Sequence, residues 1–139
     1  MLTVKIRKAQ QRDSEQSYKL LESENKKSFS VNDFKRASRH RDAIYFVSED
    51  NQKIIGFIIG FVCPTKNEDC MLAETRVIES ERNKGIGSLL VDAFCKEAFR
   101  KGAKNVYAEI DKKDIDFYKK NKFRKNNEWI EMVKFKAVD

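Results

Sequence analysis

The sequence predicts one domain, residues 1–139, of the α/β (α+β) class: a central mixed β-sheet of six to seven strands flanked by about four helices. Three observations carry this. Residues 53–62 (KIIGFIIGFV) are almost wholly apolar, as a strand covered on both faces must be. Over residues 86–101, Ile86, Leu89, Leu90, Ala93, Phe94, Ala98 and Phe99 recur at helical spacing, and Gly102 follows as a stop. Strand-like and helix-like segments then succeed one another along the whole chain, with no repeat, low-complexity tract or linker to divide it.

The elements follow in order. Residues 3–8 alternate apolar and charged side chains and read as a strand. Residues 12–25 set Tyr18, Leu20 and Leu21 among charges, a polar helix with a narrow apolar stripe. A second, short helix fits residues 31–40. Residues 43–47 (AIYFV) are β-rich and 49–52 (EDNQ) form a turn, so 43–62 reads as a hairpin. A polar loop at 63–69 leads to a strand at 71–78. After the helix at 86–101 come a strand at 104–110 and a short helix at 114–121 with Ile115, Phe117 and Tyr118. A last hairpin is expected from Phe123, with 125–127 as its turn and 129–135, including Trp129, as its return.

Composition bounds the function. With 40% hydrophobic and 37% charged residues, the chain has material for one core and is no disordered polyelectrolyte. No apolar run nears the roughly 20 residues of a membrane span, and the first eight residues do not resemble a signal peptide. Cys63, Cys70 and Cys95 are odd in number and lack CxxC spacing, which predicts reduced packing thiols in a cytoplasmic protein. His40 is the sole histidine, so neither a metal site nor a histidine-based triad is expected. The net charge of +7 favours anionic partners. No stretch outside the expected core strands interleaves aromatics with Lys and Arg, however, so nucleic acid is not the expected one.

The stretch ESERNKGIGSLL, residues 79–90, spends two of five glycines at the mouth of a good helix. The first amides of a helix have no internal partners and carry the positive end of its dipole. A loop without side chains at 85 and 87 lets an anion approach those amides, and Arg82 and Lys84 add cations at the same spot. Read from the residues alone, the pair is either a phosphate cradle or a tight turn. No Gly-x4-Gly-Lys-Ser/Thr pattern is present, and position 90 is Leu where a dinucleotide fingerprint needs a third glycine.

Arg82-Asn83-Lys84-Gly85-Ile86-Gly87 resembles the Arg/Gln-x-x-Gly-x-Gly/Ala pyrophosphate loop of the GNAT acyl-CoA N-acyltransferases. Downstream, residues 116–123 (DFYKKNKF) look like that family's Phe-Tyr-x-Lys-x-Gly-Phe segment. The two motifs stand in order at normal separation, and the element order resembles a compact GNAT fold with a splayed sheet over nearly the whole chain. There are departures. Lys122 stands where the family usually has Gly, at a position expected to turn left-handed at about 1 kcal/mol of strain, unless Asn121 takes the turn instead. The link after the strand at 104–110 is short and lacks the Asn of some members.

The resemblance implies an N-acetyltransferase moving an acetyl group from acetyl-CoA, its co-substrate, to a primary amine by direct attack. It places the pyrophosphate on the amides of Arg82, Asn83, Lys84, Gly85, Ile86, Gly87 and Ser88. It lays the pantetheine arm along Thr75, Arg76 and Val77, with a backbone N–H near Val77 facing the thioester oxygen. Tyr118 matches the tyrosine that protonates the departing thiolate; its phenol, with a reference pKa of about 10, suits a thiolate of comparable basicity. Glu74, then Glu109, are the candidates for removing the amine's proton. Strict alternation puts 72, 74 and 76 on one face and 71, 73, 75 and 77 on the other, a parity that a bulge would change. A non-catalytic module on the same fold, binding acyl-CoA or presenting its basic face to a protein or nucleic acid, is the alternative. On the acceptor side stand Glu22, Glu24, Phe29, Asp33, Glu128, Trp129 and Glu131, whose acids suit a cationic amine or a solvated surface equally. A homodimer is common in relatives, but nothing in the sequence demands it.

Overall fold

In the computed structural model, residues 3–25, 28–63, 68–128 and 130–137 are described. Trp129, Lys26, Lys27 and the loop residues 64–67 lie outside them. Strands β1 (Lys5–Lys8), β2 (Ala43–Asp50), β3 (Lys53–Val62), β4 (Asp69–Val77) and β5 (Asn105–Ala108) form one sheet in that order. The first three pairings are antiparallel and β4–β5 is parallel, so the sheet is mixed. Helices α1 (Ser14–Glu22) and α2 (Val31–Ala37) follow β1, and α3 (Ile86–Arg100) makes the β4–β5 crossover. Short 3₁₀ turns occupy Gln11–Asp13, Glu79–Glu81 and Lys112–Asp114, the last leading into α4 (Ile115–Lys120).

β3 is central because it has apolar side chains for both faces. Phe57 and Ile59 join Leu21, Phe34, Tyr45 and Val47 in a core shared with α1 and α2. On the opposite face α3 comes so close that a Cβ on Gly60 would overlap the Met71 carbonyl and the Phe94 ring. Glycine is required there by packing alone.

The expected helix at 12–25 begins later than its polar pattern suggests, because Asp13 is taken elsewhere. Its carboxylate accepts both arms of the Arg7 guanidinium, at 2.8 and 2.9 Å, and the Gln10 amide at 2.7 Å. Arg7 also reaches Glu49, tying β1 to β2. Asp13 is 2% exposed. Burial opposes its ionisation, but the Arg7 fork and the Gln10 amide outweigh it and hold the carboxyl below the usual carboxylate range. A lowered folded-state pKa means that the stabilisation is present above the unfolded value, about 3.9, and is lost as pH falls through the folded one. Asp13→Asn is expected to destabilise the protein by about 2 kcal/mol at neutral pH. In urea melts the gap from wild type should close as pH drops below about 4; a constant gap would show that Asp13 acts by packing, not by charge.

The chain packs as two units, residues up to Glu109 and residues from Ile110 onward. The first holds the sheet and α1–α3. In the second, α4 ends in a Schellman stop: Phe123 N–H bonds the Tyr118 carbonyl at 2.9 Å and Lys122 N–H the Lys119 carbonyl at 3.0 Å. Lys122 takes the left-handed turn itself, at φ +71°, while Asn121 stays at φ −92°. α3 ends the same way with Gly102 at the equivalent place, φ +101°. Lys122→Gly is therefore expected to stabilise the protein by about 1 kcal/mol, read as a higher denaturation midpoint at unchanged slope.

The sheet has five strands among the described residues, not six to seven. The hairpin expected from Phe123 is absent: residues 123–128 and 130–137 carry no strand. Ile130, Met132, Val133 and Phe135 are 62–87% exposed. A two-stranded hairpin is marginal in water by itself, so apolar β-formers alone do not create one.

Candidate active site

The site begins where β4 parts from β5. Their pairing runs from Asp69↔Asn105 to Leu72↔Ala108 and stops, while β4 stays paired with β3 as far as Val77. Residues 73–77 thus border a gap in the sheet, the splay expected from the sequence. Ile78 donates its N–H to Ile55 on β3 at 2.8 Å. Peptide groups alternate along a strand, so those of Val77 and Thr75 face the gap.

A bulge sets which side chains meet the gap. Gly60 pairs with Leu72 but Ile59 pairs with Glu74, leaving Ala73 unmatched. The shift breaks strict alternation at Ala73. Glu74 and Arg76 join the face of Ile59, Phe57 and the α1–α2 core, whereas Thr75 and Val77 turn to the α3 face with Leu72. Glu74, Arg76 and their partners form a chain. Ser28 Oγ donates to Glu74 Oε1 at 2.9 Å, and an Arg76 guanidinium nitrogen lies 3.0 Å from Glu74 Oε2. Arg76 Nε is 3.0 Å from Glu24 Oε2, and Arg82 bonds Glu24 Oε1.

Beyond β4 the chain turns through Glu79–Glu81 into the glycine loop. Asn83, at φ +64°, and Gly85, at φ +84°, swing the backbone into α3 with Gly85 as its N-cap. A Cβ on Gly85 would meet nothing within 4 Å. Glycine is there for its dihedral, and the space beside it is open. No side chain caps α3 and its first turn holds no acid, so the amides of Ile86, Gly87 and Ser88 carry an unneutralised positive end. Arg82, Asn83, Lys84 and Gly85 are exposed, while the Ile86 side chain is buried in the core and offers only its backbone. The two loop cations are engaged: Lys84 with Glu81 at 2.8 Å, and Arg82 with Glu24 and, through Nε, the Val77 carbonyl at 2.9 Å. An uncapped helix N-terminus beside open space can take an anion, and unpaired peptide groups on a strand edge can pair with an extended chain.

The remaining candidates separate. The Glu74 side chain is 15% exposed within the chain of contacts above. Glu109 is exposed, one residue past the end of β5 rather than on it. Tyr118 belongs to the C-terminal unit, 8% exposed, its ring edge-on to Phe117 at 5.1 Å and Phe123 at 5.3 Å. Burial pushes the Cys70 thiol up to about 12 and the Cys95 thiol to about 11, so neither is a nucleophile at neutral pH. His40 is exposed after α2. Sequence reasoning missed the contacts of Glu24 and Ser28 with the β4 residues. No local signal marks them: Glu24 and Arg82 stand 58 positions apart.

Over residues 5–123 the sequence matches the acetyltransferase (GNAT) family. The chain belongs to that family. No curated protein sequence matches it. Among solved GNAT-type structures, an aminoglycoside acetyltransferase from an uncultured soil metagenomic sample, in complex with sisomicin, superposes with a TM-score of 0.79 at 20% identity, covering 97% of each chain. A ribosomal-protein-alanine N-acetyltransferase from Brucella melitensis biovar Abortus 2308 gives 0.75 at 19% identity, over 96% of this chain and 99% of that one. An aminoglycoside N-acetyltransferase in complex with CoA gives 0.75 at 14% identity, over 94% of each. These similarities establish the fold. No described helix is long and apolar enough to cross a membrane.

Proposed function

We propose that this GNAT protein is an N-acetyltransferase that moves an acetyl group from acetyl-CoA to a primary amine by direct attack. The observation that carries this reading is the continuity of the β4 gap with the uncapped N-terminus of α3, a track for an extended arm ending at an anion cradle. Acetyl-CoA supplies an acyl carbon activated as a thioester; the rest of the chemistry falls to the chain. The amides of residues 82–88 hold the pyrophosphate. Thr75, Arg76 and Val77 align the pantetheine arm through the edge of β4. The Val77 N–H, aimed into the gap, steadies charge on the acyl oxygen.

An alkylammonium has a pKa of about 10.4 and must lose a proton before it attacks. Glu74 is the better placed carboxylate, because it lies on the strand that borders the gap, with Glu109 second. As the carbon–nitrogen bond forms and the carbon–sulfur bond breaks, Tyr118 gives its phenolic proton to the departing thiolate. The acceptor is read as a cationic amine, from similar folds acting on aminoglycosides and a ribosomal-protein alanine. The test is CoA release from acetyl-CoA over a panel of aminoglycosides, polyamines and N-terminal peptides. Release above background hydrolysis with at least one amine is expected. Tight acetyl-CoA binding with no release for any class would select the non-catalytic acyl-CoA-binding module.

A further inference from the structure

Arg82 stands at the mouth of the cradle, yet its guanidinium does not reach into it. It is held sideways by Glu24, from the end of α1, and by the Val77 carbonyl. Both partners are partly solvated: the Arg82 side chain is 44% exposed and that of Glu24 30%. An ion pair so wetted is a weak hold, easily exchanged for a more highly charged anion.

A second observation concerns the other partner of Glu24. Arg76 Nε lies 3.0 Å from Glu24 Oε2, but off the line of a hydrogen bond, and it is a buried donor without a hydrogen-bond partner. Buried donors without an acceptor are rare and costly. Glu24, freed from Arg82, need only rotate to close that bond. The exchange aligns the existing Glu24–Arg76 ion pair into a hydrogen bond, and the loss of the Arg82–Glu24 contact is offset within the same cluster.

We infer that Glu24 is a positioning residue that withholds Arg82 from the phosphate site until CoA arrives, whereupon the pyrophosphate takes Arg82 and Glu24 turns to Arg76. This rests on the reading of residues 82–87 as the pyrophosphate loop. The wild-type protein therefore gives up part of its CoA affinity to break the Arg82–Glu24 pair. Pantetheine, which lacks the pyrophosphate, does not compete for Arg82 and is not affected.

The test is calorimetric titration of the full chain with CoA and with pantetheine. Glu24→Gln is expected to tighten CoA binding about two- to fivefold, the range for releasing an exposed ion pair, and to leave pantetheine unchanged. Glu24→Asp, too short to span both arginines, should move CoA binding in the same direction by less, and it serves if the amide variant folds poorly. In an Arg82→Ala background the Glu24→Gln gain should vanish, which a purely structural role for Glu24 would not produce. Wild-type binding with CoA affinity unchanged or weakened in Glu24→Gln overturns the inference and leaves the pyrophosphate reading standing. Wild-type protein that binds no CoA overturns both, and the failure then appears before any substitution is made.

Discussion

Replacing Gly85 and Gly87 together with glutamate is expected to weaken acetyl-CoA binding by about a hundredfold or more while leaving the protein folded. Two effects add. Gly85 sits at φ +84°, where an L side chain costs about 1–2 kcal/mol in the conformation that shapes the cradle. The introduced carboxylates then compete for the amides of Ile86, Gly87 and Ser88 and repel the pyrophosphate. Stability moves far less than binding. A Cβ at position 85 meets nothing within 4 Å, and acids in the first turn of a helix favour its dipole by about 0.3–1 kcal/mol each. Gly102→Ala is the control. It places a side chain in the same backbone region, φ +101°, with open space around it, at the far end of the same helix. It should lose about 1 kcal/mol of stability and no acetyl-CoA affinity. A folded double variant that binds acetyl-CoA as wild type does would make the two glycines a tight turn and nothing more. A folded wild-type protein that does not bind at all would end the enzyme reading and turn attention to the basic surface.

The parts of this fold that could be read from the sequence are those decided by neighbours along the chain. β3 matches its apolar run residue for residue, because burial on both faces leaves no polar position to blur its ends. α3 begins and ends beside glycines whose positive φ both termini demand. The left-handed turn near Lys122 came only from the family resemblance, which left Asn121 as an alternative; the hydrogen bonds of the helix stop put it on Lys122. What could not be read depends on distant partners. The bulge at Ala73 is a mismatch of register between β3 and β4, and neither strand records it alone. It decides that Glu74 and Arg76 share a face with Phe57 and Ile59, and so that Glu74 meets Ser28. The Glu24–Arg82 contact joins α1 to the glycine loop across most of the unit, and any glutamate after α1 looks like solvated surface in the sequence. The missing last hairpin makes the converse point. Ile130, Met132, Val133 and Phe135 have the composition of a strand, but a strand is defined by the neighbour that accepts its hydrogen bonds.

Tyr118→Phe is the substitution that separates chemistry from packing in the C-terminal unit. It is expected to lower kcat by about a hundredfold to ten-thousandfold, the usual worth of a positioned general acid, with acetyl-CoA affinity within about twofold of wild type. The variant keeps the ring, and the ring is what the unit uses: edge-on contacts to Phe117 and Phe123 flank it, and the Phe123 contact closes the Schellman stop of α4. Its unfolding free energy should therefore change by less than about 1 kcal/mol. On the role proposed for Tyr118, loss of the hydroxyl removes the proton donor. The thiolate must then take its proton from water, and the penalty falls on the step in which the carbon–sulfur bond breaks. That places the loss in kcat and in kcat/KM alike, the pattern of an interaction made only in the transition state. A variant with unchanged kcat would show that Tyr118 is a core aromatic like Phe117 and that solvent protonates the thiolate. A variant that unfolds would show instead that the hydroxyl anchors α4, and the stability measurement made alongside the kinetics distinguishes that case from a catalytic one.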